Sequence, residues 1–266
     1  MPVKRNSLAA AEARRLLRQR TGREHVTLTG RGATAIWATL RALDLHNRPV
    51  LLPANTCYIV LWAVLQSGNQ PFLVDVDPLT ANISAQTLDQ CGVDSPAVLI
   101  PAHMYGLPAP MKSIMAWASE HDVFVIEDAA LALGTVSDGK PAGAWGDVSI
   151  FSFGSGKIAD AGNGGALLTD DAALATEIER IIATLPLWTR KLEQLNRQWL
   201  EIYWPLHQFE TETPRLTEIY PTLFSIYGSI VQYRLPESWA SGLRAELLNL
   251  DANVARRNDL ARLYDR

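Results

Sequence analysis

The sequence is poor in cysteine, with only Cys57 and Cys91 among its 266 residues. No Cys-x-x-Cys pair and no cluster of cysteine with histidine occurs, so the sequence indicates neither a disulfide framework nor a zinc site. It also lacks an apolar run of membrane-spanning length, and charged residues at Glu12, Arg14 and Arg15 interrupt the apolar stretch near its start. A secretory signal requires a longer uninterrupted core. We therefore expect a cytoplasmic protein without a metal site.

Long runs of one charge sign are missing as well. The 24 basic and 28 acidic residues give a net charge of -4, so we expect no general affinity for nucleic acid. Apolar residues make up 48% of the chain and charged residues 20%, a balance typical of soluble globular proteins. The length allows one large domain or one and a half.

Helical and strand patterns alternate from about residue 30 to residue 170. Apolar spacing predicts helices at residues 34–45, 59–66 and 111–121, and short apolar runs predict strands at 50–52, 72–76, 97–100, 123–126 and 148–153. Continuously apolar strands that alternate with helices are typical of a mostly parallel sheet covered on both faces. We therefore predict an α/β fold.

The pattern changes to helical and aromatic-rich between about residues 175 and 230. The aromatic residues there are Trp188, Trp199, Tyr203, Trp204, Phe209, Tyr220, Phe224 and Tyr227. Two explanations are a helical hairpin packed at a subunit interface and a contact with a lipid-linked acceptor or a membrane. We favour the first, because aromatic residues are enriched at interfaces and basic residues are not concentrated here. Membrane contact is therefore not expected.

Lys157 and Asp128 are the strongest candidates for chemistry. Asp128 follows the apolar run 123–126, and Lys157 follows a Gly/Ser turn after the strand 148–153 and precedes the glycine-rich residues 162–165. Both lie at carboxyl ends of predicted strands, where ligands of parallel sheets bind. This pair suits pyridoxal phosphate (PLP): the lysine forms a Schiff base with the aldehyde, and the aspartate keeps the pyridine nitrogen protonated. The alternatives are a solvated loop lysine and a solvent-facing acid.

A turn of small residues, 29–36, opens a predicted helix and could hold a phosphate on its free N–H groups, although an ordinary turn has the same composition. The segment Gly154-Ser155-Gly156-Lys157 is not a nucleoside-triphosphate loop, because that loop needs glycine in place of Phe151 and a hydroxyl in place of Ile158. His103 follows another strand, where it either lines the site or is structural.

Several motifs, taken in order, resemble the DegT/DnrJ/EryC1/StrS family of PLP-dependent sugar aminotransferases, which have the aspartate-aminotransferase-type fold. The resemblance runs from about residue 28 to the C-terminus. The motifs are Gly32-Ala33-Thr34-Ala35-Ile36, Pro53-Ala54-Asn55-Thr56, residues 71–77, His103-Met104-Tyr105-Gly106, Glu127-Asp128-Ala129-Ala130, Ser152-Phe153 with Lys157, Gly162-Asn163-Gly164-Gly165, Gln232-Tyr233-Arg234-Leu235 and Arg256-Arg257.

The resemblance implies a role for each residue of the cofactor site. Lys157 would be the Schiff-base lysine and proton shuttle, and Asp128 would pair with the pyridine nitrogen. Ser152 would bind the cofactor phosphate together with Gly32 and the backbone of Ala33 and Thr34.

Two further cofactor contacts are implied by the resemblance. One side chain from Thr56 to Tyr58 would stack on the pyridine ring, and we expect Tyr58 because it is aromatic. The family works as homodimers, and Gln232 stands where an asparagine usually reaches the partner's cofactor. Leu131 replaces a glutamine that commonly contacts the cofactor.

The implied organisation is an N-terminal helical segment (1–27), a PLP-binding large domain (28–235) and the start of a smaller C-terminal domain (236–266), which the sequence does not complete. The implied reaction transfers an amino group from glutamate or glutamine to a nucleotide-linked keto-sugar. Alternatives are another PLP-dependent sugar-modifying enzyme, such as a dehydratase, and a non-catalytic binding or assembly homologue.

Overall fold

Helices and strands alternate up to about residue 128, four further strands then follow one another, and the rest of the described chain is helical. The computed structural model describes residues 2–208 and 214–264, with their side chains except at 2–7, 207–208 and 214–220. The helices are α1 (Pro2–Thr21), α2 (Gly32–Ala42), α3 (Tyr58–Gln66), α4 (Ala85–Asp89), α5 (Met111–Glu120), α6 (Ala172–Thr184), α7 (Arg190–Gln208), α8 (Pro214–Val231), α9 (Ala240–Leu248) and α10 (Leu250–Tyr264). The strands are β1 (His25–Thr29), β2 (Pro49–Pro53), β3 (Gln70–Val74), β4 (Val98–Leu99), β5 (Phe124–Asp128), β6 (Val136–Ser137), β7 (Lys140–Pro141), β8 (Val148–Ser152) and β9 (Gly165–Thr169).

One seven-stranded sheet organises the described residues, in the order β1-β9-β8-β5-β4-β2-β3. The neighbours from β8 to β3 run parallel, whereas β9 runs antiparallel to both β8 and β1. The predicted α/β class with a mostly parallel sheet is therefore confirmed. β1 begins at His25, and the domain boundary at residue 28 stays a prediction.

Helices cover both faces of the sheet. Val50 and Ile150 belong to a core with α2, α3 and α6. Their strand neighbours point the other way: Leu51 packs with α5, and Phe151 packs with α1 and α9. Successive strand residues face opposite sides, so a sheet that is buried on both faces needs the continuous apolar runs seen in the sequence.

Helices α7 and α8 form a hairpin that packs on α3 through an aromatic cluster, defined here as Trp62, Trp199, Tyr203 and Tyr227. The rings of Trp199 and Tyr203 stack with centroids 4.4 Å apart, and those of Trp62 and Tyr227 meet edge-on at 4.6 Å. This apolar face is therefore buried within the chain. Phe209 and the side chain of Tyr220 lie outside the described residues. In the ranges that the structure describes, no helix is sufficiently long and apolar to span a bilayer.

Candidate active site

A cavity opens at the carboxyl ends of β4, β5 and β8, the edge of a parallel sheet where ligands bind. Its lining residues are Gly32, Ala33, Ile36, Thr56, Cys57, Ile59, Val60, Ala102, His103, Met104, Asp128, Ala130, Leu131, Ile150, Ser152 and Lys157. Five of the predicted cofactor residues, Gly32, Ala33, Asp128, Ser152 and Lys157, are thus brought together. They come from α2, β5, β8 and the turn after β8.

Asp128 is a buried carboxyl group with 8% of its surface exposed. One oxygen, Oδ1, accepts the Ala130 N–H at 3.0 Å, and no ion pair reaches this side chain within the described part of the chain. Burial raises the pKa of Asp128, and the charge of Lys157 only partly opposes that shift. A cationic ligand group in the cavity would favour the ionised form.

Glu127, next to Asp128, is buried in a different environment. Its carboxylate accepts hydrogen bonds from His103 Nε2 at 2.9 Å, from Ser149 Oγ at 2.8 Å and from the backbone of Gly143, Trp145 and Gly146. Burial opposes ionisation, but the hydrogen bonds outweigh it, so the pKa of Glu127 lies below its usual range. Glu127 is therefore held ionised by the protein itself.

His103 is buried and lines the cavity beside Asp128. Its Nδ1 accepts the Ala109 N–H at 3.0 Å, so the ring proton lies on Nε2, which donates to Glu127. His103 is therefore held in place by two hydrogen bonds and also forms part of the cavity wall.

The phosphate turn, defined here as residues 30–34, lies close to Ser152. Arg31 precedes α2 without a side-chain cap, so the first N–H groups of the helix have no intrahelical partner. A Cβ atom at Gly32 would come within 3.2 Å of the Ser152 Cβ. Within the described residues, the Ser152 hydroxyl has no hydrogen-bond partner. The Thr34 hydroxyl, in contrast, donates to the Val231 carbonyl, which leaves only the Thr34 backbone for a ligand.

The structure places Tyr58 and Gln232 away from this cavity. The Tyr58 ring packs at 4.8 Å from Tyr203, because α3 begins at Tyr58 and turns that side chain toward α7. Of residues 56–58, only Thr56 and Cys57 line the cavity. Gln232 lies near Gln66, with Nε2 3.5 Å from the Gln66 Oε1. Within one chain, neither Tyr58 nor Gln232 reaches the cavity.

The residues present fit PLP at its pyridine nitrogen, its aldehyde and its phosphate. Asp128 offers a buried carboxylate for the pyridine nitrogen, and Lys157 offers an amine for the aldehyde. The phosphate turn and Ser152 offer unpaired donors for the phosphate. Apolar residues, among them Leu131 and Val60, line the remaining wall. Across the residues that the structure covers, no group of His, Cys, Asp or Glu gathers into a metal site.

Comparison with known proteins agrees with the geometry. The model of the DegT/DnrJ/EryC1/StrS aminotransferase family matches residues 10–266, and the chain therefore belongs to this family. A family aminotransferase from Brucella abortus has the same fold, with a TM-score of 0.73 at 26% identity, over 97% of this chain and 62% of that one. Aminotransferases of this family depend on PLP.

Two curated relatives are sugar aminotransferases by name. UDP-N-acetyl-3-dehydro-α-D-glucosamine 3-aminotransferase of Acidithiobacillus ferrooxidans is 37% identical over 149 residues, 55% of this chain and 40% of the relative. GDP-perosamine synthase of Caulobacter vibrioides is 35% identical over 158 residues, 59% of this chain and 43% of the relative. The chain thus spans about two-fifths of the length of these relatives.

Proposed function

We propose that the chain carries the cofactor site of a PLP-dependent aminotransferase that moves an amino group from glutamate or glutamine to a nucleotide-linked keto-sugar. The observation that carries the proposal is the meeting of Asp128 and Lys157 in one cavity with the phosphate turn and Ser152. The names of the two curated relatives support the sugar as acceptor.

Each residue has a defined task in this proposal. The chemistry that PLP would supply here is that of an electron sink for the substrate carbon. Asp128 holds a proton on the pyridine nitrogen, and the burial that raises its pKa strengthens its preference for that cation. Lys157 would hold the cofactor at its aldehyde and, once its amine is released from the cofactor, would move the proton between the substrate α-carbon and the cofactor C4′. Ser152 and the phosphate turn orient the phosphate.

The first test is an absorbance spectrum of the protein after incubation with PLP and removal of unbound PLP by gel filtration, recorded before and after glutamate is added. We expect a yellow band that glutamate bleaches. Lys157→Ala should abolish the band, whereas Lys112→Ala, on the exposed side of α5, should leave it unchanged. A band that persists in Lys157→Ala would refute the assignment of this lysine.

A non-catalytic binding homologue is the second candidate, because Leu131 lines the cavity where the family commonly has a glutamine. In that case PLP would bind and give the band, but neither glutamate nor glutamine would alter it. Bleaching by either donor would exclude this candidate.

We also propose a homodimer in which Gln232 reaches the cavity of the partner subunit. The placement of Gln232 outside its own cavity supports this arrangement. Sedimentation equilibrium of the PLP-loaded protein should give the mass of a dimer, and a monomer throughout the concentration range would contradict it.

A further inference from the structure

The phosphate part of the cavity is short of positive charge. A phosphate monoester carries between one and two negative charges near neutral pH, and a helix N-terminus supplies about half a positive charge. Lys157 is the only cationic side chain among the cavity-lining residues, and it is required at the aldehyde. Ala33 has no hydroxyl, and the hydroxyl of Thr34 is engaged by Val231. Of the residues predicted to bind the phosphate, all of which the structure describes, Ser152 alone is left with a side-chain donor.

Arg31 carries a positive charge next to this place. It is half-buried and directly precedes Gly32, whose Cα lies about 3.8 Å from that of Arg31. Its guanidinium makes two long contacts with neutral groups, from Nε to the Tyr233 hydroxyl at 3.3 Å and from Nη2 to Asn196 Oδ1 at 3.4 Å. In the described ranges, no carboxylate lies within ion-pair distance of Arg31. Its charge is therefore uncompensated.

We propose that Arg31 is the cationic ligand of the cofactor phosphate, an inference that rests on the proposed function. Its two long hydrogen bonds to neutral groups are weak, and charge-assisted bonds to a phosphate are shorter and about twice as strong as neutral ones. The proposal requires the Arg31 side chain to rotate from Tyr233 and Asn196 toward the phosphate turn, of which Arg31 is itself a part.

The backbone around Arg31 is held in place independently of its side chain. Residue 31 bridges to Gly164, and a Cβ atom at Gly165 would overlap the backbone of Arg31 and Gly32. The Gly30 N–H donates to the Tyr233 carbonyl at 3.1 Å. Substitution of the Arg31 side chain should therefore leave the phosphate turn intact.

A second arginine, Arg257, lies near a different part of the cavity. The Nη2 of Arg257 donates to the Lys157 carbonyl at 3.4 Å, and its Nε donates to Asn253 on the same helix, α10. Arg257 thus lies beside the lysine turn rather than beside the phosphate turn. Arg31 is the better placed cation for the phosphate.

The test compares PLP with pyridoxal, which has the same ring and aldehyde but no phosphate. Binding of each ligand to the 266-residue chain is measured by quenching of tryptophan fluorescence, in wild type, Arg31→Gln and the control Arg41→Gln at the far end of α2. We expect Arg31→Gln to weaken PLP binding about ten- to hundredfold, as for a lost charge-assisted hydrogen bond. Pyridoxal binding should change by less than about twofold in the same variant. Arg41→Gln should match wild type for both ligands.

The other outcomes are distinct. If Arg31→Gln weakens PLP and pyridoxal equally, Arg31 supports the turn through Asn196 and Tyr233, and the phosphate role is overturned. If Arg31→Gln binds PLP as wild type does, the role is also overturned while the proposed function stands. A wild-type chain that binds neither ligand would overturn the proposed function and this inference together. Competition by inorganic phosphate against PLP, present in wild type and weaker in Arg31→Gln, would support the role independently.

Discussion

At the scale of single residues, two adjacent carboxyl groups have opposite environments. Glu127 and Asp128 end the same strand, β5, and point to opposite sides of it. Glu127 accepts five hydrogen bonds, whereas Asp128 accepts one, from the Ala130 N–H. The described residues stabilise the charge of Glu127 with several hydrogen bonds and that of Asp128 with one.

We predict that Asp128→Asn stabilises the protein without cofactor at neutral pH. Because the pKa of Asp128 is raised in the folded state, the folded protein binds this proton more tightly than the unfolded chain does. Stability therefore falls as pH rises from the usual aspartate pKa through the raised one. Asparagine does not ionise and therefore avoids this loss of stability. We expect the variant to gain about 1 kcal/mol in free energy of unfolding, or roughly 2–4 °C in melting temperature.

Melting of the cofactor-free protein between pH 4 and pH 8 measures the effect. The difference in melting temperature between Asp128→Asn and wild type should shrink toward acid pH, where wild-type Asp128 is also neutral. Asp128→Asn should at the same time weaken the yellow PLP band. A variant that melts below wild type at neutral pH would contradict the account of Asp128 as an uncompensated charge.

Several of these site residues could be recognised from the sequence alone and others could not. Asp128 and Lys157 follow apolar runs at the carboxyl ends of parallel strands, which predicts that they lie close together. Ser152 is predicted only through the resemblance to the family. The direction of the Tyr58 side chain depends on Tyr203, far along the chain, so the local sequence does not determine it. The same holds for Thr34, whose hydroxyl is engaged by the Val231 carbonyl.

At the scale of secondary-structure elements, the α7–α8 hairpin is rich in aromatic residues. The aromatic cluster joins it to α3, and the Trp199 Nε1 donates to the Leu223 carbonyl at 3.0 Å, which ties α7 to α8. Since α3 begins directly after Cys57, the hairpin supports one wall of the cavity. Aromatic composition predicts a hairpin packed at a subunit interface. In the structure the aromatic cluster packs on α3 of the same chain, and contact with a partner subunit stays a prediction.

We predict that Trp199→Ala destabilises the protein by about 3–5 kcal/mol, because the side chain is 2% exposed and its removal leaves a large cavity. Ile202→Ala lies on the same helix but is 46% exposed, and should cost less than about 1 kcal/mol. Urea unfolding of both variants measures the difference. Equal losses would show that the hairpin is not packed as described.

Strand patterns reveal which elements are buried on both faces, but not the direction of every strand. The runs in β2, β5 and β8 predict the parallel part of the sheet. The antiparallel course of β9 follows from the chain returning directly from the turn after β8, and its composition does not differ from that of a parallel strand. The sequence accordingly predicts the class of fold better than its complete topology.

At the scale of the whole molecule, Glu127 connects distant parts of the chain. Its hydrogen bonds join β5 to the turn at His103, to the loop at residues 143–146 and to Ser149 in β8. Loss of this one charge should therefore affect the stability of the entire protein.

We predict that Glu127→Gln lowers the free energy of unfolding at neutral pH by about 2–4 kcal/mol. Because the pKa of Glu127 is lowered in the folded state, its contribution is present above the usual glutamate pKa. The contribution is lost as pH falls through the folded-state pKa. Denaturant unfolding of wild type and variant should therefore converge toward acid pH.

The exposed Glu120→Gln, at the end of α5, is the matched control and should follow wild type. A difference between Glu127→Gln and wild type that stays constant from neutral to acid pH would contradict the ionised state assigned to Glu127.

The position of β1 at the edge of the sheet has a consequence for synthesis on the ribosome. In the sheet, the neighbour of β1 is β9. The ribosome makes β1 first and β9 last of these strands, so β1 cannot join the sheet until β9 has been made. Until residues 165–169 emerge, the turn that follows β1 has no fixed position relative to Ser152 and Lys157. Such distant pairing slows folding. A nascent chain therefore acquires the complete cavity only late in its synthesis.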